Sequence, residues 1–164
     1  MSAIEIIQVT DKKGIKAFVD FNHRLYRNCP YIAPEIREDM LYTLDPHQND
    51  AFEFCDCACY LARRDGKTVG RVAAIINRKA NAKWNVRVVR FGWIDFIDDI
   101  EVARSLLEQV EAFGRRHGMT VMQGPWALRI LTLRAPSLKA LRSSMPWAPS
   151  TIMTTIPACS SSWA

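Results

Sequence analysis

Apolar and β-branched positions divide most of the chain into short strands and amphipathic helices. A β-prone run at residues 4–9 predicts a strand, and the Thr10-Asp11 that follows is typical of a helix cap. Over residues 12–26 the apolar positions recur at helical spacing and predict a helix. Two prolines then end that helix, and residues 35–44 predict a second, shorter one.

A β-hairpin and a third strand occupy the middle of the chain. Residues 57–63 and 68–76 are apolar or β-branched, and the Asp65-Gly66 between them supplies the positive φ angles of a tight reverse turn. Residues 87–97 predict the third strand, in which Gly92 marks a bulge or a close backbone approach.

A longer helix and a last strand follow. Asp98 or Asp99 caps this helix, and Gly118 ends it. Its inner face carries Ala103, Leu106, Leu107, Val110 and Phe113. Residues 120–123 then predict a strand, so the order of elements indicates an α/β (α+β) domain.

The C-terminal segment, residues 126–164, differs in composition from the rest of the chain. It holds four bases and neither an acid nor a glycine, whereas residues 1–125 carry 18 bases and 17 acids. The net charge of +5 therefore arises mainly from this segment. Neither helical nor strand periodicity persists through residues 135–164. We accordingly predict a partial domain over 1–125 and an atypical tail over 126–164.

Three interpretations of the C-terminal segment remain open. Disorder fits the lost periodicity, although disordered tails are seldom so rich in Trp, Leu, Ile and Met. A partner-binding arm fits the four bases, which are widely spaced. Out-of-frame translation explains the missing acids and glycines, because restoring one base at the Pro125 codon, with third bases chosen freely, permits a continuation rich in Asp, Glu, Gly and Tyr.

Composition also bears on location and on metal chemistry. The chain has no run of eighteen apolar residues and no signal-peptide pattern, and its five cysteines form no disulfide framework. We therefore expect a cytoplasmic protein with reduced thiols and without a membrane span. Cys55, Cys57 and Cys59 share one strand face about 7 Å apart, which suits small core side chains better than a zinc site. No metal site is predicted.

One basic cluster stands out in residues 1–125, and no acid lies between positions 78 and 94. It can face an anionic ligand such as a phosphate, or form a solvated loop after the hairpin. The near-neutral body and the lack of a nucleic-acid motif favour the loop and predict no nucleic-acid partner. Arg71 and Asp95 are further candidates to line a pocket, although polar strand residues usually face solvent. The cluster comprises Arg78, Lys79, Lys83, Arg87 and Arg90.

The order of these elements resembles the first two-thirds of the GNAT-type acyl-CoA N-acyltransferase fold. Several stretches are similar to a group of long bacterial GNAT-like proteins, and the continuation permitted by the out-of-frame interpretation also resembles that group. The matching stretches are Pro30-Tyr31-Ile32-Ala33-Pro34, Arg64-Asp65-Gly66-Lys67, Gly70 to Asn77, Phe91-Gly92-Trp93, Gly118-Met119 and Gly124-Pro125.

The resemblance implies a mixed, mainly antiparallel sheet flanked by helices and incomplete at its C-terminal end. It also implies transfer of an acyl group from acyl-CoA, such as acetyl-CoA, to an amine on a small-molecule substrate. By analogy the CoA pyrophosphate lies at the strand–helix junction, here Phe96, Ile97 and Asp98. GNAT enzymes hold it there with a glycine-rich loop, whereas residues 96–101 contain three acids and no glycine.

Two functional hypotheses follow. In the first, the chain is a truncated N-acyltransferase-like domain, inactive alone, whose partner is the missing C-terminal part of the same fold. In the second, it is a non-catalytic module that binds an anionic ligand or a protein partner through Arg78, Lys79, Arg87 and Arg90. The sequence alone assigns no catalytic residue.

Overall fold

The protein is described by a computed structural model that covers residues 3–28, 35–125 and 152–155, the last by backbone pairing only. The strands are β1 (Glu5–Val9), β2 (Cys55–Arg64), β3 (Lys67–Asn77), β4 (Val88–Phe96), β5 (Val121–Gly124) and β6 (Ile152–Thr155). The helices are α1 (Lys12–Leu25), α2 (Arg37–Thr43), α3 (Arg78–Lys83) and α4 (Ile100–Arg116), with a single 3₁₀ turn at Asp50–Glu53. The quoted stretch 30–34 and most of the C-terminal segment lie outside the described residues.

The six strands form one sheet in sequence order. Neighbouring strands are antiparallel except β4 and β5, which run parallel because α4 connects them on one side of the sheet. The expected mixed, mainly antiparallel sheet flanked by helices is therefore confirmed. Beyond Pro125 the described part of the chain adds only the four-residue strand β6.

Local turn and cap signals produce the predicted elements. Asp65 and Gly66 have φ angles of 51° and 72°, as the tight hairpin turn between β2 and β3 requires. At the start of α1 the Asp11 carboxylate accepts the Gly14 N–H at 2.8 Å. Asp99, one of the two predicted caps, accepts the Glu101 N–H at 2.9 Å and begins α4. Gly118, with φ 72°, follows the end of that helix.

Helices cover both faces of the sheet. On one face α4 packs Val102 and Leu106 against Val72 and Val89. The two layers approach so closely that a Cβ on Gly70 of β3 would lie 2.8 Å from Val102 Cγ1 and 2.9 Å from Leu106 Cδ1. On the other face α1 and α2 cover β2 and β3, with buried residues that include Phe18, Val19, Met40, Leu61 and Ala73.

One prediction about local structure was wrong. The solvated loop favoured after the hairpin is instead the short helix α3, which begins where the Asn77 side chain accepts the Ala80 N–H at 2.8 Å. The strand β6 lies within residues 135–164, where no periodicity persists in the sequence, and it pairs with β5. A four-residue strand is too short to establish a period, and its pairing satisfies backbone groups along β5 that would otherwise form a free edge.

Candidate functional site

A β-bulge in β4 determines which side chains meet beneath α1. Gly92 pairs with Ala73 and Asp95 pairs with Arg71, so two residues of β4 stand opposite one residue of β3. Because side chains alternate along a strand, the extra residue brings Asp95 to the α1 face instead of the α4 face. Trp93, at the bulge, has a φ of 47°, which is rare for a large residue. The predicted bulge is confirmed one residue beyond Gly92.

Arg71 lies at the centre of a buried polar cluster on this face. Its side chain is 1% exposed, its Nε donates to Asp95 Oδ2 at 2.7 Å, and its Nη2 lies 2.6 Å from the same oxygen. Its Nη1 donates to the Phe18 carbonyl oxygen at 3.0 Å, and its guanidinium lies 5.0 Å from the centre of the Phe18 ring. These contacts hold the buried cation in one position.

Asp95 is also held by α1 and the residue that follows it. Asn22 Nδ2 donates to Asp95 Oδ2 at 3.1 Å, and the Tyr26 hydroxyl donates to Asp95 Oδ1 at 2.9 Å. Arg71 and Asp95 therefore form part of the interior, contrary to the expectation that polar strand residues face solvent. Helix α1 covers them, and this tertiary arrangement cannot be read from strand alternation.

Glu35, just before α2, is the least satisfied acid of this cluster. Its Oε2 lies 3.8 Å from Arg71 Nη2, beyond hydrogen-bond distance. Burial raises the pKa of this half-exposed carboxyl, and the nearby Arg71 guanidinium offsets the increase only in part. The buried indole Nε1 of Trp93 is close enough to lower that pKa slightly, yet it makes no well-aligned hydrogen bond among the described residues.

Glu35 is the side chain of this cluster that can still bind a ligand. Glu35 can bind a protonated amine and then accept its proton, because its carboxylate is not engaged in a short ion pair. Trp93 Nε1 interacts with this carboxyl from the protein interior. Sequence reasoning did not identify Glu35, whose only local signal is its position between a proline and a short helix.

The second half of β4 offers backbone groups to an extended ligand. The parallel pairing with β5 is confined to Val88–Arg90 and Val121–Gln123. Within the described residues, no strand pairs with 91–96 on that side. An extended chain bearing amides can lie along such an edge by strand-like hydrogen bonding. This edge is adjacent to the bulge and so to Trp93.

At the junction between β4 and α4, the carboxylate of Asp99 already occupies the start of the helix. Arg64 Nη1 donates to Asp99 Oδ2 at 2.7 Å, and Arg64 Nη2 lies 3.9 Å from Glu101. The Arg64 hydrogen bond lowers the pKa of Asp99, so this cap is a carboxylate at neutral pH. Phe96, Ile97 and Asp98, the residues placed by analogy at the CoA pyrophosphate, precede this occupied helix end.

The structure does not gather the predicted basic cluster into one surface. Arg78 pairs with Asp56 and also donates to the Glu53 carbonyl oxygen at 2.7 Å. Lys79 lies 4.4 Å from the centre of the Phe54 ring. Lys83 and Arg87 are exposed. Arg90, in contrast, is 4% exposed and donates from Nη1 to Asn81 Oδ1 at 3.0 Å.

The three strand cysteines lie on the face that α1 and the 3₁₀ turn cover. Burial raises the pKa of Cys55 to about 11. The pKa of Cys57 is raised by its hydrogen bond with Cys59 and by burial. All three are free thiols, and the described residues contain no group of three or more His, Cys, Asp or Glu placed to hold a metal ion. Nor does any described helix have the length and apolar character needed to cross a membrane.

Two curated proteins are similar to this chain in sequence. One is Protein YghO of Escherichia coli K12, 28% identical over 123 residues that make up 73% of this chain and 30% of that protein. The other is the bacterial ceramide synthase of Caulobacter vibrioides, 28% identical over 128 residues, or 77% of this chain and 33% of that protein. The chain thus spans about a third of the length of these relatives. No family model matches it.

Solved structures with a similar fold are GNAT proteins. A tandem GNAT protein from the clavulanic acid biosynthesis pathway matches 74% of this chain and 36% of its own, with a TM-score of 0.57 and 16% identity. A predicted acetyltransferase from Clostridium acetobutylicum, solved with acetyl-CoA, matches 87% of this chain and all of its own, with a TM-score of 0.55 and 11% identity. At such low identities these matches establish the fold alone.

Proposed function

On the premise that the described residues have a GNAT-type fold, we propose that the chain is the N-terminal part of an acyl-CoA N-acyltransferase-like protein and is inactive alone. The reaction would transfer an acyl group from acyl-CoA to an amine of a small-molecule substrate. One relative supports this reaction class, the ceramide synthase that is similar in sequence. The free buried thiols support a cytoplasmic location.

The observation that carries the proposal is the Glu35 carboxyl beside the bulge of β4. In acyl transfer the amine nitrogen forms a bond to the thioester carbonyl carbon, the carbon–sulfur bond breaks, and the thiolate leaves. An amine that is protonated in solution must first lose a proton. In this proposal the Glu35 carboxylate receives that proton, and the second proton that the attacking nitrogen loses passes to the leaving thiolate.

The donor side of the site explains why the chain alone is proposed to be inactive. A pyrophosphate at the start of α4 would have to displace the Asp99 carboxylate from the helix end and from Arg64. Asp98 and Glu101 add like charge around the same position. We therefore assign donor binding to the part of the longer relatives that this chain does not span.

A thiol-release assay tests this proposal. The purified chain is incubated with acetyl-CoA and a small primary amine such as ethanolamine, and free CoA is measured with a thiol reagent. We expect no amine-dependent release above the rate without protein. Amine-dependent release by this chain would contradict the proposed inactivity.

The C-terminal segment is proposed to be an out-of-frame translation of residues 126–164. Resequencing the encoding DNA across the Pro125 codon from an independent template tests this point. An extra base would reveal the continuation, and the same assay on the longer protein should then show amine-dependent release. An unchanged sequence would contradict the out-of-frame proposal.

The second candidate function, a module that binds an anionic ligand, is favoured by the buried position of Arg90. If the chain acts only in this way, binding of the anion should weaken with salt and be lost when Arg87 and Arg90 are both neutralised. A salt-independent response would rule this candidate out.

A further inference from the structure

Arg90 is a buried cation with little to balance it. Its residue is 4% exposed, and a guanidinium carries five N–H donors. Among the described residues its side chain makes one hydrogen bond, from Nη1 to Asn81 Oδ1. Burial lowers the pKa of Arg90, as expected for a cation without a close carboxylate, although an arginine remains charged at neutral pH.

No acidic side chain of this protein neutralises Arg90. All 17 Asp and Glu residues lie between positions 5 and 111 and belong to the described part of the chain. None of them forms an ion pair with Arg90 within 4.0 Å. The C-terminal segment contains no Asp or Glu at all. The neighbouring Cys55 thiol cannot serve either, because burial raises its pKa to about 11 and keeps it protonated.

Arg71 shows how the same fold neutralises a comparable cation. Both arginines lie on the α1 face of the sheet, Arg71 opposite Asp95 and Arg90 opposite Ile75. Arg71 is 1% exposed and binds Asp95 through two nitrogens. A buried charge is costly unless it is paired and hydrogen-bonded, so the apolar partner of Arg90 indicates that its counter-ion comes from elsewhere.

The surroundings of Arg90 hold the guanidinium in place. Asn81 Nδ2 donates to the Val88 carbonyl oxygen at 2.8 Å and contacts Met119 Sδ at 3.3 Å. These contacts orient the Asn81 amide so that its oxygen faces Arg90. One nitrogen of the guanidinium is therefore held by the protein, and its other nitrogens make no hydrogen bond to the described residues.

We propose that Arg90 and Asn81 form an oxyanion-binding site, in which the Arg90 guanidinium pairs with a carboxylate or phosphate group that no side chain of this protein supplies. The group belongs either to a free anion or to the in-frame continuation of the chain. The second source is within reach because Arg90 pairs with Gln123 in β5, two residues before Pro125. This inference does not depend on acyl transfer.

Thermal unfolding of three proteins tests the site. The wild type, Arg90→Met and the exposed-residue control Arg104→Met are melted in inorganic phosphate and in sodium chloride of equal ionic strength. A free oxyanion that binds Arg90 should raise the Tm of the wild type and of Arg104→Met by about 4 °C for each tenfold excess over its Kd. The Tm of Arg90→Met should not respond to phosphate.

The same melts distinguish the two sources of the anion. If phosphate does not change the Tm of the wild type but Arg90→Met melts above the wild type, Arg90 is an unpaired buried charge in this chain. That result excludes a free anion and leaves the continuation of the chain as the source of the carboxylate. If Arg90→Met melts below the wild type without an Arg90-dependent phosphate effect, the proposal is wrong. A phosphate effect that Arg90→Met retains would also overturn it. Arg90→Lys, which keeps the charge, should still respond to phosphate and decides the question should Arg90→Met fail to fold.

Discussion

At the scale of single residues, four charged side chains on the α1 face differ in how well they are neutralised. Arg71 and Asp95 form a closed pair with additional donors from Asn22 and Tyr26. Glu35 has only a long contact to Arg71, and Arg90 has no carboxylate at all. The closed pair stabilises the fold, whereas the two open charges are available for ligands.

Glu35→Gln should change the pH dependence of stability. The pKa of Glu35 is raised above 4.5 by burial, so the folded protein holds this proton more tightly than the unfolded chain does. Stability therefore falls as pH rises from 4.5 through the folded pKa, and glutamine abolishes that fall. In thermal melts between pH 3 and 7, the Tm of the variant should increase relative to the Tm of the wild type as the pH rises.

Asp20→Asn provides a control of opposite sign. The hydrogen bond from Arg37 lowers the pKa of Asp20 below 3.8, so its contribution is present at neutral pH and is lost as pH falls through the folded value. This variant should be less stable than the wild type at neutral pH, and the difference should shrink in acid. If Glu35→Gln behaves like Asp20→Asn, our description of the Glu35 environment is wrong.

At the scale of secondary-structure elements, β3 and β4 position the whole site. The bulge in β4 moves Asp95 to the face of Arg71, and the closely packed α4 fixes β3 from behind. Gly70 allows this close approach because it has no Cβ. A Cβ at this position would meet the side chains of Val102 and Leu106, which are fully buried and have little room to move aside.

Gly70→Ala should destabilise the protein by about 1–3 kcal/mol, since overpacking forces neighbouring side chains out of position. Urea unfolding followed by circular dichroism measures the loss. Gly66→Asn is the matched control, because no atom lies within 4 Å of its Cβ position and asparagine tolerates the φ of 72°. Equal losses in the two variants would contradict the packing argument.

The elements predicted from sequence were those with local signals. Asp65-Gly66 predicted the hairpin, Thr10-Asp11 marked the start of α1, and Asp98 or Asp99 marked the start of α4. The missed helix α3 has only six residues, too few for a periodic pattern. The pairing of Arg71 with Asp95 was missed because it depends on the bulge and on α1 lying over both residues. The role of Glu35 likewise depends on tertiary proximity to Arg71 and Trp93.

At the scale of the whole molecule, the amine side and the donor side of the proposed acyl-transfer site are unequally represented. The described residues place Glu35 and Trp93 beside an open strand edge, where an amine can bind. The helix end that would bind a pyrophosphate holds Asp99 instead. Since the chain spans about a third of its curated relatives, the proposed donor site belongs to the remaining two-thirds.

The most direct test of this account is an ¹⁵N NMR titration of the chain with acetyl-CoA. The account predicts no saturable shift of the backbone amides of residues 97–101, because the carboxylates at the start of α4 exclude the pyrophosphate. Saturable shifts centred on those amides would show that this domain binds the donor itself, and would contradict the proposed division of the site.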